Sequence, residues 1–327
     1  MIPFTKVTQS LGAHWDSYES LFRTALSSPY ALLSTIDAYL LNQPGKQVRP
    51  MLSLIAAHIA GTPVKLSHTV AVVGEMIHTA SLLHDDVADN AETRRGRLSV
   101  QKMFGAPASI LLGDFWLARA FQLMIDNNGL HLMSYFAEAI KGLSEGELLQ
   151  MEKAQTLDVT LEEYFTICNH KTASLFRAVI MAAFFSVPEK NQAQAYAPYM
   201  EQIAYHVGMA FQIKDDILDY QPLANKGKPS YLDITESKIT LPLLGAMENA
   251  GASKARPKVT EWIQQTIKGS QIALQHIIRF VEENEGLTYA TRVLDAHMNQ
   301  VRDNINKIPS SSWRDLLQDT IESVIYR

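Results

Sequence analysis

Cysteine occurs once in the chain, at Cys168, which excludes an intramolecular disulfide framework and any zinc site built on several thiolates. Basic charge is not in surplus: 29 Lys and Arg stand against 34 Asp and Glu, a net charge of −5, so the electrostatic footprint of a nucleic-acid binder is missing. No run approaches the ~18 apolar residues of a membrane span; the longest, residues 178–187, is too short. The opening MIPFTKVTQSLGAHWDSY has no basic segment leading into an apolar core, as a signal peptide would. Runs of alternating β-branched residues are missing too, and no Pro-, Gly- or Ser-rich linker divides the chain. These absences lead to the expectation of a soluble, cytoplasmic protein with one domain over residues 1–327 and no nucleic-acid partner.

What is present is helical periodicity. Apolar residues make up 47% of the 327, ample for a large core. MLSLIAAHIA, VAVVGEMIHTASLLHDD, ASILLGDFWLARAFQLMI and IAYHVGMAFQIKDDILDY all carry them at three- and four-residue spacing. Breaks such as Gly61-Thr62-Pro63, Gly105-Ala106-Pro107 and Asn127-Asn128-Gly129 fall where helices should end. The pattern predicts an all-α fold of about a dozen helices. The longest irregular stretch, residues 221–237, is polar, and loops of that length are usually functional or disordered.

One motif recurs at long range. Asp85, Asp86 and Asp89 close the helix SLLHDDVAD, and Asp215, Asp216 and Asp219 close FQIKDDILD. Both read Asp-Asp-x-x-Asp. At about 100° per residue, positions i, i+1 and i+4 fall within one arc of about 100°, so three carboxylates share a face. Anions that close raise one another's pKa unless a cation intervenes. Hard oxygen ligands suit Mg²⁺, which keeps waters and bridges carboxylates to substrate phosphates. A single such cluster reads as a solvated acidic face; two identical ones, each ending a strongly apolar helix, point to function. Such a pair could hold several Mg²⁺ ions around one diphosphate.

Cations accompany them: Lys46 and Arg49 in GKQVRP, Arg94-Arg95-Gly96, Lys171-Thr172, and Lys228 with Lys238. Lys offers a point charge and Arg a planar fork, both suited to phosphate oxygens. Each alone is ordinarily a solvated surface residue. Arg94 and Arg95 follow the first cluster directly and depart most from that default.

At this point the chain resembles the trans-isoprenyl diphosphate synthases, or polyprenyl synthetases. Six blocks match in order between Lys46 and Pro242: GKQVRP, EMIHTASLLHDDVADNAETRRG, LLGDFWLARA, HKTASLF, FQIKDDILDY and GK…D…K-ITLP. Pro44, Gln47 and Leu98 depart from the family pattern. The resemblance implies a helical bundle around a deep apolar cavity and a homodimer. It also implies condensation of isopentenyl diphosphate with an allylic diphosphate, and product delivery to a membrane. The two Asp clusters would hold Mg²⁺, three ions in all, against the allylic diphosphate. Arg94, Lys171, Gln212, Lys228 and Lys238 would serve that group. Lys46, Arg49, His78 and Arg95 would bind isopentenyl diphosphate, and Thr172 with Lys171 and Gln212 would shape the field around the allylic cation. Released diphosphate would take the proton, so no side-chain base is assigned.

Three other function classes fit these residues less well. A terpene cyclase would mix Asn, Ser or Thr with Glu in its second metal motif, whereas this one is all aspartate. A non-catalytic subunit usually loses aspartates from a metal motif, and all six are kept here. A His-Asp metal phosphohydrolase could start from His84 and Asp85, but His170 and His206 lack an acidic partner of the required kind. Cys168 and Phe176 read as core, and Glu145, Glu147 and Gln150 as a solvated helix face.

Product length has a ruler in the helix before Asp85. Ser81 and Ala80 lie four and five residues back, about 6–7.5 Å along the axis, and Ile77 and Gly74 follow on that face. Short-chain members commonly place an aromatic floor at the first of these positions. Two small residues there, and small Gly74 beyond, imply a long-chain product of about C30–C50, with about C20 or farnesyl length as the alternative, at one isoprene unit per helical turn.

Overall fold

The computed structural model describes residues 2–42, 45–188, 193–221 and 231–327. In chain order the helices are α1 (Phe4–Leu11), α2 (Ala13–Ala25), α3 (Ala31–Leu41), α4 (Val48–Ala60), α5 (Lys65–Ala88), α6 (Val100–Phe104), α7 (Ala106–Asp126), α8 (Met133–Thr156) and α9 (Leu161–Cys168). They continue with α10 (Ser174–Phe185), α11 (Ala197–Asp219), α12 (Leu232–Thr235), α13 (Leu241–Asn249), α14 (Ala252–Ile267), α15 (Gln271–Glu283), α16 (Gly286–Ile305) and α17 (Ser312–Tyr326). The fold is all-α. The expected dozen undercounts the segments, because short pieces such as α6 and α12 and narrow breaks split runs whose apolar period continues.

Among the described residues the sole sheet is a two-stranded hairpin, β1 (Thr93–Arg94) paired antiparallel with β2 (Arg97–Leu98). Its two-residue loop, Arg95-Gly96, is left-handed at both positions (φ 53° and 78°), the backbone that matches strand twist in a tight hairpin.

The chain divides into two compact units. The first comprises Met1–Ile140, Leu175–Ala204 and Arg302–Arg327. Its axis is α5, which packs against α2, α4, α6 and α7, while α17 covers α4. Helix α5 is buried on almost every side from Thr69 to Ile77, so its apolar residues cover the whole circumference rather than one stripe. Leu52, Ile55, Met76, Trp116 and Phe176 are fully buried in this unit. Helix α7 is long and apolar enough to cross a membrane by length and composition, yet Leu112, Trp116, Ala120, Leu123 and Met124 are buried against protein.

The second unit comprises Lys141–Ser174 and Tyr205–Val301. In it α13, α14 and α15 pack mutually, α12 lies on α14, and α9 on α13. Between α9 and α10 the helix widens into a π-helical turn, Asn169–Ala173. Gly208 of α11 meets that turn so closely that a Cβ there would sit 2.4 Å from the Ala173 Cα. Glycine is what allows the approach.

Candidate active site

In the first unit, Asp85, Asp86 and Asp89 occupy the C-terminal end of α5, with Asp89 as its cap. That is the negative end of the helix dipole, where carboxylates are unfavourable unless a cation neutralises them. They do not present one uniform face. Asp86 is buried and accepts from Arg94 Nε at 2.6 Å, whereas Asp85 is half-buried and Asp89 exposed. Burial pushes the Asp86 carboxyl up, and Arg94 pulls it back. The hairpin supplies that cation: β1 carries Arg94 and the left-handed turn carries Arg95.

Arg49, His78, Arg94 and Arg95 gather nearby. Burial holds the His78 imidazole well below its ordinary range, and the charges of Arg49, Arg95 and Arg94 add to the effect. His78 is therefore neutral at pH 7. Arg49 is 8% exposed, and its Cζ lies 4.6 Å from the centroid of the Phe176 ring. Burial lowers its pKa to about 10, which still leaves it charged. Lys46 is exposed just before α4.

Two features here go beyond the sequence reading, which passed over Glu75 and took Gln47 only as a departure from the family pattern. Glu75, 6% exposed on α5, faces both Arg49 and Arg95; burial pushes its carboxyl up and the two guanidiniums hold it down. Gln47, at a left-handed φ of 49° before α4, donates from Nε2 to Tyr18 Oη at 3.1 Å. Glu75, Gln47, Asp86, Arg94 and Arg95 line one cavity of about 80 Å³ with Tyr39 and Trp116. The glutamate opens the quoted block EMIHTASLLHDD, but nothing in its spacing marks it as the countercharge of two arginines. Phe176, read as core alone, is also the platform under Arg49.

In the second unit, Asp215, Asp216 and Asp219 again stand at a helix C-terminus, that of α11. Asp215 is exposed and Asp216 buried. Asp216 accepts from Tyr164 Oη at 2.5 Å and from Gln212 Nε2 at 2.9 Å. Gln212 Oε1 in turn accepts from Thr172 Oγ1 at 2.6 Å. Burial raises the Asp216 carboxyl to about 7, against the pull of its two donors. Asp219 accepts the backbone N–H groups of Leu232 and Asp233, and burial raises it as well. Asp233 is a fourth carboxylate, pushed well up by burial and by Asp216 and Asp219, with Lys238 opposing.

Lys171 projects from the π-helical turn to Glu147 Oε1 at 2.6 Å and to the Gln150 amide oxygen. The expectation that Glu147 and Gln150 form a solvated face is therefore corrected: on α8 they anchor this lysine. Lys238 Nζ contacts Glu236 at 2.7 Å. Lys228 and Pro44 lie outside the described residues. His84 faces Asp114 of α7 at 3.3 Å, and among the described residues no group of three His, Cys, Asp or Glu forms the metal cluster that the phosphohydrolase reading needs.

On the ruler face, Ala80 and Ile77 are fully buried, and Ser81 Oγ donates to the His78 carbonyl. Gly74 does not leave open depth: a Cβ there would lie 2.2 Å from Val179 Cγ1, so a neighbouring side chain fills the notch. The expected further depth at Gly74 is thereby withdrawn.

Among the described residues, no group of three or more His, Cys, Asp or Glu side chains is arranged to cage a metal ion. The donor set nonetheless fits Mg²⁺. Asp86, Asp216 and Asp219 are held up by burial, so a divalent cation relieves a strain that protons otherwise relieve. Mg²⁺ also characteristically takes only one or two carboxylates and completes its shell with water and phosphate oxygens.

The polyprenyl synthetase family model matches residues 30–280. The chain belongs to the polyprenyl synthetase family. It is 35% identical over 293 residues to an octaprenyl diphosphate synthase of Haemophilus influenzae, covering 89% of this chain and 87% of that one. It is 32% identical to an all-trans-nonaprenyl-diphosphate synthase of Rhodobacter capsulatus, covering 91% and 90%. Among solved structures, a decaprenyl diphosphate synthase from Rhodobacter capsulatus matches with a TM-score of 0.90 at 30% identity over 99% of each chain. A Caulobacter crescentus polyprenyl synthase complexed with calcium and isoprenyl diphosphate matches at 0.89 and 28%, covering 99% and 98%. This polyprenyl synthetase is accordingly an enzyme of the prenyltransferase class, and its similar proteins include long-chain synthases.

Proposed function

We propose that this enzyme, one isoprenoid synthase domain over residues 1–327, condenses isopentenyl diphosphate with an allylic diphosphate. The product is an all-trans polyprenyl diphosphate of about C30–C50, at one isoprene unit per helical turn of the ruler. The observation that carries this reading is the duplicated Asp-Asp-x-x-Asp at the ends of α5 and α11. Each stands where a helix dipole and burial both call for cations.

Asp85, Asp86, Asp89, Asp215, Asp216 and Asp219 would hold Mg²⁺, three ions, on the allylic diphosphate. Bound there, Mg²⁺ supplies Lewis-acid charge that stabilises the departing diphosphate. Arg94, Lys171, Lys228 and Lys238 add positioned positive charge to the same group. The neutral His78 donates a hydrogen bond to the diphosphate of isopentenyl diphosphate, and Arg49, Arg95 and Lys46 supply its countercharge. Gln212 and Thr172 orient their dipoles beside the allylic carbon and keep Asp216 in place. No nucleophilic side chain takes part.

A homodimer, a cytoplasmic location and delivery of the product to a membrane complete the proposal. Exposed Ile110, Leu111 and Ile125 on α7 support a covered protein face. A second reading is a product of about C20. It is favoured by Val179 filling the notch beside Gly74. It is further favoured by 30% identity to a short chain isoprenyl diphosphate synthase of Methanothermobacter thermautotrophicus, covering 92% of this chain and 91% of that one. Incubation with labelled isopentenyl diphosphate, several allylic primers and Mg²⁺, followed by sizing of the dephosphorylated products, decides between them.

A further inference from the structure

Helices α11 and α16 meet through two histidines in the second unit. His206 Nδ1 and His297 Nδ1 are 2.8 Å apart, with ring centroids at 5.1 Å and planes at 52°. The Tyr205 ring backs the pair, 5.0 Å from His206 and 6.3 Å from His297. On the open side lies a groove of about 400 Å³, lined by both histidines with Tyr289, Arg292, Ala296 and Gln300. None of these residues belongs to the site described above.

Burial lowers the pKa of both rings, that of His297 to about 4. Each ring is therefore neutral at pH 7 and keeps one lone pair. In the contact one Nδ1–H donates to the other Nδ1, and either ring can move its proton to Nε2. Two neutral imidazoles attract an anion weakly and a nitrogen-preferring cation well.

The separation bears on which coordination geometry the pair could reach. With metal–nitrogen bonds of about 2.0–2.1 Å, two cis ligands at 90° stand about 2.8–3.0 Å apart, whereas tetrahedral ligands stand about 3.3 Å apart. The 2.8 Å of the hydrogen bond already lies at the cis spacing, so a tetragonal or octahedral ion would need the rings to turn but not to separate. Each ring would turn about 45° off the hydrogen-bond axis to aim its lone pair at the ion, and the groove leaves the remaining positions to water.

We propose that His206 and His297 form a two-nitrogen chelate for a divalent transition-metal ion of the Cu²⁺ or Ni²⁺ class, clipping α11 to α16. The site is independent of Mg²⁺, which prefers oxygen and does not compete for imidazole. It also leaves the aspartates at the far end of α11 untouched. The Arg292 guanidinium, 5.7 Å from the centroid of the Tyr289 ring, is the one like charge lining the groove and weakens the site without blocking it.

The test uses the full-length protein in saturating Mg²⁺, titrated with one equivalent of Cu²⁺ and read by electron paramagnetic resonance. The wild type should show hyperfine coupling to two nitrogens. His206→Ala and His297→Ala should each lose that pattern and bind Cu²⁺ at least tenfold more weakly, while His276→Ala keeps it. Unchanged helical circular dichroism and prenyl transfer in the two variants would establish that they fold. A two-nitrogen signal that survives in both variants, as from His14 and His68, whose Nδ1 and Nε2 lie 3.0 Å apart, overturns the proposal. So does a wild type that binds no Cu²⁺ through nitrogen.

Discussion

The Tyr164 hydroxyl donates to Asp216 at 2.5 Å, tying α9 to the second aspartate cluster. With Gln212 on the other oxygen, it holds a carboxylate in a buried place that otherwise drives it towards protonation, to about 7. Burying the ionised carboxylate costs the metal-free fold.

Asp216→Asn should therefore separate stability from activity. The folded pKa is raised above the unfolded one, so the ionised wild type carries a stability penalty above about pH 7 that vanishes as the pH falls below about 4. In EDTA at pH 8 the variant should melt several degrees higher than wild type, and the gap should close at pH 4. Its turnover with Mg²⁺ should fall at least about a hundredfold, roughly 3 kcal/mol. A variant that melts lower at pH 8 would show that the carboxylate is not under such strain.

Glu75 is the buried countercharge facing Arg49 and Arg95. Glu75→Gln removes that charge while keeping the volume. The KM for isopentenyl diphosphate should rise about tenfold, or roughly 1.4 kcal/mol, with the allylic KM and kcat within about twofold. A lower KM for isopentenyl diphosphate would mean that Glu75 opposes the diphosphate rather than ordering its arginines.

Fold class and both aspartate clusters were legible in the sequence because helical period and a doubled local motif are both short-range signals. Arg49, His78, Arg94 and Arg95 were picked out through the family resemblance, and the structure brings these four together; their service to a diphosphate is part of the proposal. Glu75, Tyr164 and the Lys171 anchors Glu147 and Gln150 were not legible. Each acts across helices far apart in sequence, and isolated polar residues on a helix look solvated until a partner arrives. The π-helical turn under Lys171 and Thr172 is likewise a tertiary outcome, fitted against Gly208. Gly74 misled for the opposite reason: its smallness serves Val179, not a cavity.

Arg49→Ala and Lys228→Ala should separate the two diphosphates. The first should mainly raise the KM for isopentenyl diphosphate and the second act on the allylic substrate or on kcat, each by about tenfold to a hundredfold, or 1.5–3 kcal/mol. Arg95→Ala should follow Arg49→Ala. The same kinetic signature for Arg49→Ala and Lys228→Ala would refute the division.

Product length should respond to α5 above Gly74 and not at it. Ala80→Phe should shorten the product towards about C15–C20, at one isoprene unit per helical turn. Gly74→Ala should lower stability, since its Cβ meets Val179 at 2.2 Å, without lengthening or shortening the product. An active Ala80→Phe enzyme with an unchanged product ladder would remove this face as the ruler.

The account rests on metal-dependent elongation. Purified enzyme given labelled isopentenyl diphosphate and an allylic primer, with Mg²⁺ or with excess EDTA, measures it directly once the dephosphorylated products are sized. A linear ladder ending at about C30–C50 with Mg²⁺, and none with EDTA, is the predicted result. Undiminished product in EDTA, or cyclised hydrocarbon formed without consumption of isopentenyl diphosphate, would contradict it.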